Sequence, residues 1–336
     1  MNTPPAVTAV ATLPGQALAS PDPEAQRPIV REEDGRPPTG APRLPTEVVR
    51  RLTRPSPLGT WFVIVRDYGV VAATIWACEA YWHPALYVLA LIVIGGRMSS
   101  TGGLVHEAAH YNLFRSKRMN EWVALLFCST MVLGTFTPKA YRRSHLAHHR
   151  HANTRLDPDP EIQAMKKNIE TARDAFWFFF DGLTLPVIYF AKVFWGRPLW
   201  QRALSLAALA LLIHALPTLA LKLFMYWIVP ALTTYSLFVF IRLHAEHNAV
   251  DADDPLYRTR TVRPTLLSRL TVAPAYVGYH LAHHVYPSVP FFRRHELHDA
   301  LMASSEEYRR NAHITRGYLR VITELLTYRG RPLVRG

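Results

Sequence analysis

Histidine clusters are the residues of this sequence best suited to chemistry. Eleven of the sixteen histidines fall into four short segments, and each segment lies at the end of an apolar stretch. Imidazole binds iron, zinc, copper and nickel, but no single ion needs eleven imidazoles. The clustering therefore predicts a site with more than one metal ion. The clustered residues are His106, His110, His145, His148, His149, His151, His244, His247, His280, His283 and His284.

The spacing of these histidines fits presentation on helices. His106 and His110 are four residues apart, as are His145 and His149, which places each pair on one helix face. An isolated histidine on an apolar helix is more often a core residue, and that interpretation suits His214. Eleven clustered histidines are not explained in this way, because each buried polar group needs a partner. Metal binding is therefore the better interpretation.

Charge and cysteine content exclude several classes of protein. The formal net charge is +13, but the basic residues flank apolar stretches and do not interleave with aromatic residues as in a nucleic-acid platform. The two cysteines, Cys78 and Cys128, lie in apolar stretches, so neither a disulfide framework nor a four-cysteine iron–sulfur cluster is expected. We therefore expect no nucleic-acid partner, and any electrons must come from another protein.

Composition divides the chain into three predicted regions. Residues 1–57 contain twelve of the 26 prolines and no long apolar stretch, which predicts a disordered N-terminal tail. Residues 58–301 alternate apolar stretches with the histidine clusters and are predicted to form the membrane domain. Residues 302–336 are predicted to form a cytosolic helical segment.

Four apolar stretches are predicted to cross a bilayer, since a spanning helix needs about 20 apolar residues. The first reaches this length when counted from 61 to 81, and a turn at Pro84 begins a second helix that continues towards His110. Residues 201–216 and 219–241 form a second pair. The predicted fold class is all-α: a polytopic membrane protein with about four transmembrane helices in two hairpins, interfacial helices and a cytosolic helical cap that carries the histidines.

Basic residues predict the orientation of these hairpins. The two tips, at 83–84 and 216–218, carry little positive charge, whereas the opposite ends are rich in arginine and lysine. The positive-inside rule places the richer side, with the histidine clusters and both termini, in the cytoplasm, and we expect a bacterial inner-membrane protein. Residues 121–137 are apolar but short, which favours a re-entrant or half-buried hairpin.

The clusters and their surroundings resemble the membrane fatty-acid desaturase and hydroxylase superfamily. The resemblance runs from about residue 68 to 301, roughly two thirds of the chain. The matching segments are His106–His110, His145–His149 with Asn153, Thr154 and Asp157–Asp159 after it, Arg242–His247, and His280–His284 with Tyr286–Pro290 after it.

The resemblance implies a four-helix membrane domain with a cytosolic cap and an all-histidine site for two iron ions. Such a site uses O₂ and two electrons to attack an unactivated C–H bond. By position, the implied metal ligands are His106, His110, His145, His148, His149, His247, His280, His283 and His284.

Two further histidines, His244 and His151, match ligand positions less closely and could instead lie beside the ligands. Glu107 and Glu246 are adjacent to ligand positions. Carboxylates at such places orient the N–H groups of metal-binding imidazoles, although simple ion pairs with nearby arginines are an equal alternative.

Charged residues also surround the second cluster. Asp157 and Asp159 are expected to cap or orient the histidine helix, or to form an ordinary Pro-Asp turn. Four arginines there could bind a substrate head group or an acidic redox partner, or could face anionic lipid. They are Arg142, Arg143, Arg150 and Arg155.

The expected function is O₂-dependent oxidation, foremost desaturation of an acyl chain or lipid-like substrate in the bilayer. A hydroxylase or ketolase, or a desaturase of a small amino-acid-derived metabolite of the rhizobitoxine type, remains an alternative. We expect an external electron donor of the ferredoxin, rubredoxin or cytochrome type. Two other classes stay open: a membrane zinc protease, because His106-Glu107-x-x-His110 matches H-E-x-x-H, and a metal transporter.

Overall fold

The computed structural model describes residues 40–132, 138–153, 156–158, 177, 179–184, 187, 191, 194–248, 250 and 255–327. Helices dominate this part of the chain. They are α1 (Thr46–Leu52), α2 (Pro57–Ala80), α3 (Pro84–Ala109), α4 (Lys117–Val123), α5 (Pro138–His151), α6 (Leu199–Ala215), α7 (Pro217–His247), α8 (Leu266–Leu270), α9 (His280–Val285), α10 (Arg294–Ser304), α11 (Glu306–Asn311) and α12 (Tyr318–Thr327). The strands are β1 (Arg260–Arg263) and β2 (His313–Arg316).

Three described helical segments are long and apolar enough to cross a membrane: Thr46–Ala80, Pro84–Ala109 and Pro217–His247. The fourth predicted span, α6, is apolar but has 17 residues. At 1.5 Å per residue it is about 25 Å long, which is less than the ~30 Å hydrocarbon core. The described residues therefore contain three candidate spans rather than the predicted four.

Helix α3 is the central helix of this arrangement. It begins as predicted at Pro84, after His83 has capped it by accepting a hydrogen bond from the Ala85 N–H at 3.2 Å. A Cβ at Gly95 would lie 2.2 Å from Thr234 Oγ1 of α7, and one at Gly96 would lie 2.2 Å from the Leu270 carbonyl oxygen. Glycine at these positions lets α7 and α8 pack directly on the α3 backbone.

A buried ion pair joins α2 to α3. Arg97 Nη1 donates to Asp67 Oδ1 at 3.0 Å, and Arg97 Nη2 donates to the Leu270 carbonyl at 2.8 Å. Asp67 is fully buried, so its charge depends on this partner and on the neighbouring Arg66. The contacts of Arg97 therefore connect α2, α3 and the C-terminal end of α8.

A two-stranded sheet corrects the all-α prediction. β1 pairs with β2 in parallel, from Arg260 opposite His313 to Arg263 opposite Arg316. Strand β1 lies in the predicted membrane domain, and β2 lies in the predicted cytosolic helical segment. Parallel strands need a long connection, and here the connection includes α8 to α11, so the pairing ties the third histidine cluster to the C-terminal part of the chain.

The N-terminal boundary also needs correction. Residues 1–39 lie outside the described part of the chain, but the end of the predicted disordered tail is packed. Leu44 and Leu52 are buried in one apolar cluster with Leu281 and Val285 of α9. The Tyr286 hydroxyl donates to the Pro42 carbonyl at 3.0 Å and accepts from the Leu44 N–H at 3.1 Å. Sequence composition missed this segment because it is short and rich in proline.

The segment after the first histidine cluster is helical but short. Helix α4 continues into a π-helical turn, Ala124–Ser129, and then into a turn that ends at Val132. Ala124 and Cys128 are buried against α3, whereas Leu126 is exposed. The described residues thus form a short, half-buried apolar segment, and 133–137 lie outside them.

Candidate metal centre

Four elements converge on one end of the helix bundle and bring nine histidines together. Helix α3 carries His106 in its last turn and is capped by His110, while α5 carries the second cluster in its last two turns. Helix α7 ends at His247, and the short helix α9 carries the third cluster. The four-residue spacing predicted from sequence is therefore realised on helices.

The first set of imidazoles is the five-histidine group. One nitrogen of each residue lies within 4.8 Å of the others. Short contacts between Nε2 atoms connect them, from His110 to His145 at 2.9 Å, from His145 to His149 at 3.0 Å and from His149 to His283 at 3.1 Å. The members of the group are His106, His110, His145, His149 and His283.

The second set is the four-histidine group, with the same 4.8 Å limit between its nitrogens. Its Nε2 atoms are separated by 2.9 Å between His247 and His280 and again by 2.9 Å between His280 and His284. His148 completes the group. The two groups are adjacent, because the rings of His149 and His284 stack with centroids 4.3 Å apart.

The donor set fits two metal ions. Nitrogens bound at right angles around one ion, with metal–nitrogen bonds of about 2.1 Å, lie about 3.0 Å apart. The Nε2 separations of 2.9 to 3.1 Å agree with this geometry. Several imidazole lone pairs converging at such distances repel one another unless a cation lies between them. Sites made only of imidazole suit iron, zinc, copper or nickel.

Desolvation favours the neutral form of five of these imidazoles, and metal binding requires the neutral form. The loss of solvation lowers the pKa values of these five histidines, which lie outside the candidate spans, well below 6.5. Neighbouring imidazoles and arginines lower them further, since each additional positive charge would be repelled. The five are His110, His145, His149, His280 and His283.

Glu107 orients the first histidine of the five-histidine group. Its Oε1 accepts from His106 Nδ1 at 3.1 Å and from the buried Arg294, and its Oε2 accepts from Asn112 Nδ2 at 3.2 Å and from the Phe291 N–H at 3.0 Å. The His106 Nδ1 proton is thereby held on the carboxylate side, which directs the Nε2 lone pair towards the group. Because both oxygens of Glu107 are engaged, this residue is poorly placed to act as the base of a zinc protease.

Asp157 orients His148 of the four-histidine group. Its carboxylate accepts from His148 Nδ1 at 2.9 and 3.0 Å and from the Asn153 N–H at 3.1 Å. Asn153 has a positive φ of 59°, and its side chain donates to the His247 carbonyl at 3.0 Å. The turn after α5 therefore links the second cluster to the end of α7, and the contact of Asp157 with His148 agrees with the predicted orienting role.

Glu246 lies between an arginine and a histidine. Its Oε2 is 3.5 Å from His280 Nδ1 and 3.8 Å from Arg242 Nε. The carboxylate thus lies near both of its predicted partners, an imidazole and an arginine, at 3.5 Å or more from each.

Two candidate histidines lie outside both groups. His244 turns back on its own helix, where Nδ1 is 3.0 Å from the Phe240 carbonyl and the ring packs on Phe240 with centroids 4.1 Å apart. His151, at the end of α5, is partly buried and belongs to neither group. The structure therefore supports a position beside the site for these two residues.

Of the four arginines predicted to bind a head group or redox partner, Arg142, Arg143 and Arg150 lie in the described part of the chain. Arg142 donates to the Ala109 carbonyl, and its guanidinium lies 3.7 Å from the ring centre of Tyr111. Arg143 is exposed and Arg150 is partly buried. Arg142 thus holds the end of α3, and Arg155 and the carboxylate candidate Asp159 lie outside the described residues.

Arg294 is the main residue that sequence reasoning missed. It lies ten residues after the third cluster, is about 99% buried and pairs with Glu107. Asn112, two residues after His110, was missed as well. A buried arginine must have a carboxylate partner, but the sequence alone did not indicate that Glu107, 187 positions away, is that partner.

A small cavity opens beside the two groups. Its walls include His106, His148, His280, Arg242, Glu246 and Arg294. Gly103 also lines it, and a Cβ there would meet nothing closer than Val277 at 3.7 Å. This glycine, unlike Gly95 and Gly96, borders open space next to the imidazoles.

Comparison with known proteins agrees with this geometry. A dihydrorhizobitoxine desaturase of Bradyrhizobium elkanii is 25% identical over 260 residues, covering 69% of this chain and 72% of the relative. Two β-carotene ketolases are also similar. That of Paracoccus sp. strain N81106 is 24% identical, with 67% and 87% covered, and that of strain PC1 is 26% identical, with 66% and 83% covered.

The family model for fatty acid desaturases matches residues 80–316, which include both histidine groups and most of the helices that carry them. The family and the relatives identify an oxidoreductase, and the three apolar helices indicate a membrane protein. This chain belongs to the fatty acid desaturase family.

Proposed function

We propose that this protein is a membrane-bound, O₂-dependent di-iron oxidase and that it acts foremost as a desaturase of an acyl chain or lipid-like substrate. The observation that carries the proposal is the pair of adjacent all-histidine groups, in which nine imidazoles converge. Neither a zinc protease nor a transporter needs two such groups at the ends of helices. The nine histidines are the proposed ligands of two iron ions.

Two iron ions bound there, together with O₂ and electrons from a separate redox protein, would supply the oxidant that an unactivated C–H bond requires. The side chains prepare the site. Glu107 and Asp157 hold His106 and His148 with their Nε2 lone pairs inward, and Glu246 lies beside His280.

A desaturation reduces O₂ by four electrons, two taken from the substrate and two from the external donor. Two adjacent carbons each lose one hydrogen atom, which supplies two electrons and two protons. The external donor supplies two more electrons, and the solvent supplies two more protons. O₂ is thereby reduced to two water molecules, and the substrate gains a C=C bond.

Two other outcomes within the family have specific support. The similarity to β-carotene ketolases favours insertion of oxygen as the second candidate. The similarity to dihydrorhizobitoxine desaturase supports desaturation of a small amino-acid-derived substrate. We further propose that the histidine groups and both termini face the cytoplasm of a bacterial inner membrane, in agreement with the positive-inside rule.

Isotope labelling distinguishes these outcomes. Cells that express the protein are grown under ¹⁸O₂, and their lipids and small metabolites are compared by mass spectrometry with those of cells expressing His283→Ala. His214→Ala is the matched control, because His214 is exposed at the opposite end of the bundle.

We expect a product two hydrogens lighter that is absent with His283→Ala and present with His214→Ala. Incorporation of ¹⁸O would assign hydroxylation or ketolation instead. Purified protein with one zinc ion, peptidase activity and no iron would contradict the proposal.

A further inference from the structure

The cavity beside the metal centre contains an arginine that has no carboxylate within hydrogen-bond distance of its Nε. Arg242 lies one turn before Glu246 on α7, and its side chain is 15% exposed. Its Nε has no hydrogen-bond partner among the described residues, and the Glu246 carboxylate oxygen is 3.8 Å away, beyond hydrogen-bond distance. A guanidinium carries five N–H donors, so Arg242 has capacity to bind a further anion.

Arg294, the other arginine of the cavity, also has an Nε without a hydrogen-bond partner among the described residues, but its carboxylate partner is closer. It pairs directly with Glu107, and this contact serves the orientation of His106. Glu246, in contrast, is shared between Arg242 and His280. Arg242 is therefore the cation of the cavity with the weaker internal partner.

Other polar atoms near Arg242 also lack partners. Glu246 Oε1 and the Tyr318 hydroxyl are buried without a hydrogen-bond partner among the described residues. Tyr318 is close enough to Arg242 and Glu246 to experience their charges. Buried polar atoms are rarely unpaired, so the unpaired atoms of Arg242 and Glu246, which both line the cavity, indicate that a polar molecule completes the site.

We propose that Arg242 binds a carboxylate of the substrate, so that the protein oxidises a molecule carrying this group within a few bonds of the reacting carbon. The proposal rests on the proposed function and narrows its substrate class. The carboxylate must lie near the reacting carbon, because Arg242 lines the same small cavity as His106, His148 and His280.

The charge of the site favours such a ligand. Neutral imidazoles leave the charges of two bound metal ions uncompensated, and Arg242 adds one more positive charge. A carboxylate can accept two parallel hydrogen bonds from a guanidinium. If the substrate is an α-amino acid, its ammonium group can donate to Glu246 Oε1, beside Arg242. A neutral hydrocarbon substrate would leave all these polar atoms without partners.

Binding in the absence of turnover tests the proposal. Iron-loaded protein in mild detergent is titrated anaerobically with hexanoate, hexanamide and L-norleucine, and affinities are measured by calorimetry. We expect hexanoate to bind at least ~10-fold more tightly than hexanamide, in line with the strength of a hydrogen-bonded charge. Tighter binding of norleucine than of hexanoate would assign the amino-acid form, and the reverse order would assign a simple carboxylate.

Two substitutions locate the effect. Arg242→Gln should abolish the preference for hexanoate over hexanamide, with the iron content unchanged. Arg242→Lys keeps the charge but loses the two-pronged contact, so it should weaken hexanoate binding several-fold. Arg310→Gln is the matched control, because Arg310 is exposed and pairs with Glu306 at the surface.

Equal binding of hexanoate and hexanamide by the unaltered protein would overturn the proposal. So would undiminished hexanoate binding by iron-loaded Arg242→Gln or Arg242→Lys, since the carboxylate would then contact the metal alone. If Arg242→Gln loses iron, the affinity of iron-loaded Arg242→Lys for hexanoate tests the proposal instead. Oxidation of a neutral substrate by Arg242→Gln would refute this inference while leaving the proposed function intact.

Discussion

Replacing Asp157 by asparagine should weaken metal binding at the four-histidine group and leave the five-histidine group almost unchanged. Asp157 is about 97% buried and its carboxylate accepts from two donors, His148 Nδ1 and the Asn153 N–H. Asparagine keeps the shape of this side chain but offers one oxygen and one NH₂ group. Either His148 Nδ1 or the Asn153 N–H must therefore face the NH₂ group of the asparagine, which is itself a donor.

The magnitude follows from this conflict. If the oxygen stays with Asn153, the NH₂ group faces His148 Nδ1, which favours the tautomer with its proton on Nε2, and a protonated Nε2 cannot bind metal. Loss of a residue that orients a metal-bound histidine lowers metal affinity by about 10- to 100-fold, or roughly 1.4 to 2.7 kcal/mol. Because His148 belongs to the four-histidine group alone, one ion of the two should be affected.

Competition with a chelator measures the effect. Iron-loaded protein is dialysed against increasing chelator, and the iron retained per chain is determined by mass spectrometry. We expect Asp157→Asn to release one ion at about 10- to 100-fold lower chelator activity than the unaltered protein and the second ion at the same activity. Glu306→Gln, at an exposed surface pair, serves as the control. Equal weakening of both ions, or no change, would refute the assignment of Asp157 to one group.

Further predictions concern stability, the glycine contacts and the far ends of the hairpins. Removal of residues 1–39 should leave catalysis intact, whereas removal of 1–52 should lower the melting temperature in detergent, since it deletes the buried Leu52 and both partners of the Tyr286 hydroxyl. Metal-free protein should lose stability as the pH falls below about 6.5, because the buried histidines with lowered pKa values stay neutral in the folded state while the unfolded chain takes up protons. The free energy of unfolding should fall by about 1.4 kcal/mol per pH unit for each such histidine. A melting temperature independent of pH would contradict this. Gly96→Ala should destabilise the protein because its Cβ would lie 2.2 Å from the Leu270 carbonyl, and Gly103→Ala should not; equal melting temperatures would count against the close contact between α3 and α8. His83→Ala should remain active in the assay that His148→Ala fails, and equal loss in two folded variants would contradict the separation of the hairpin tips from the site.

The sequence predicted the site better than it predicted the surrounding fold. Residue type and spacing alone indicated eleven clustered histidines on helix faces, because four-residue spacing on a helix is a local property. The resemblance to the desaturase superfamily then narrowed these to the nine proposed ligands. Helix α3 was predicted from Pro84 towards His110 from local sequence as well, and the structure confirms it. The two strands were missed, since β1 and β2 are four residues each and their pairing joins segments some fifty positions apart.

The packed segment before α2 was missed for a related reason. Its apolar residues are few, and what buries them is the surface of α9, far away in sequence. Burial there depends on tertiary packing rather than on local hydrophobicity, so composition predicted a tail. Helix α6 is a different case, because apolar composition predicted a full span and the described helix, with 17 residues, does not confirm it.

The sequence by itself determined that this chain carries clustered imidazoles on helices at the ends of apolar segments, because residue type and helical period are local. Tertiary structure alone decided how those imidazoles divide into a group of five and a group of four, since each group draws on helices separated by more than a hundred residues. It also decided that Arg294 pairs with Glu107 while Arg242 faces the cavity. Charge pairing in a buried site depends on distance in space, and sequence separation carries no information about that distance.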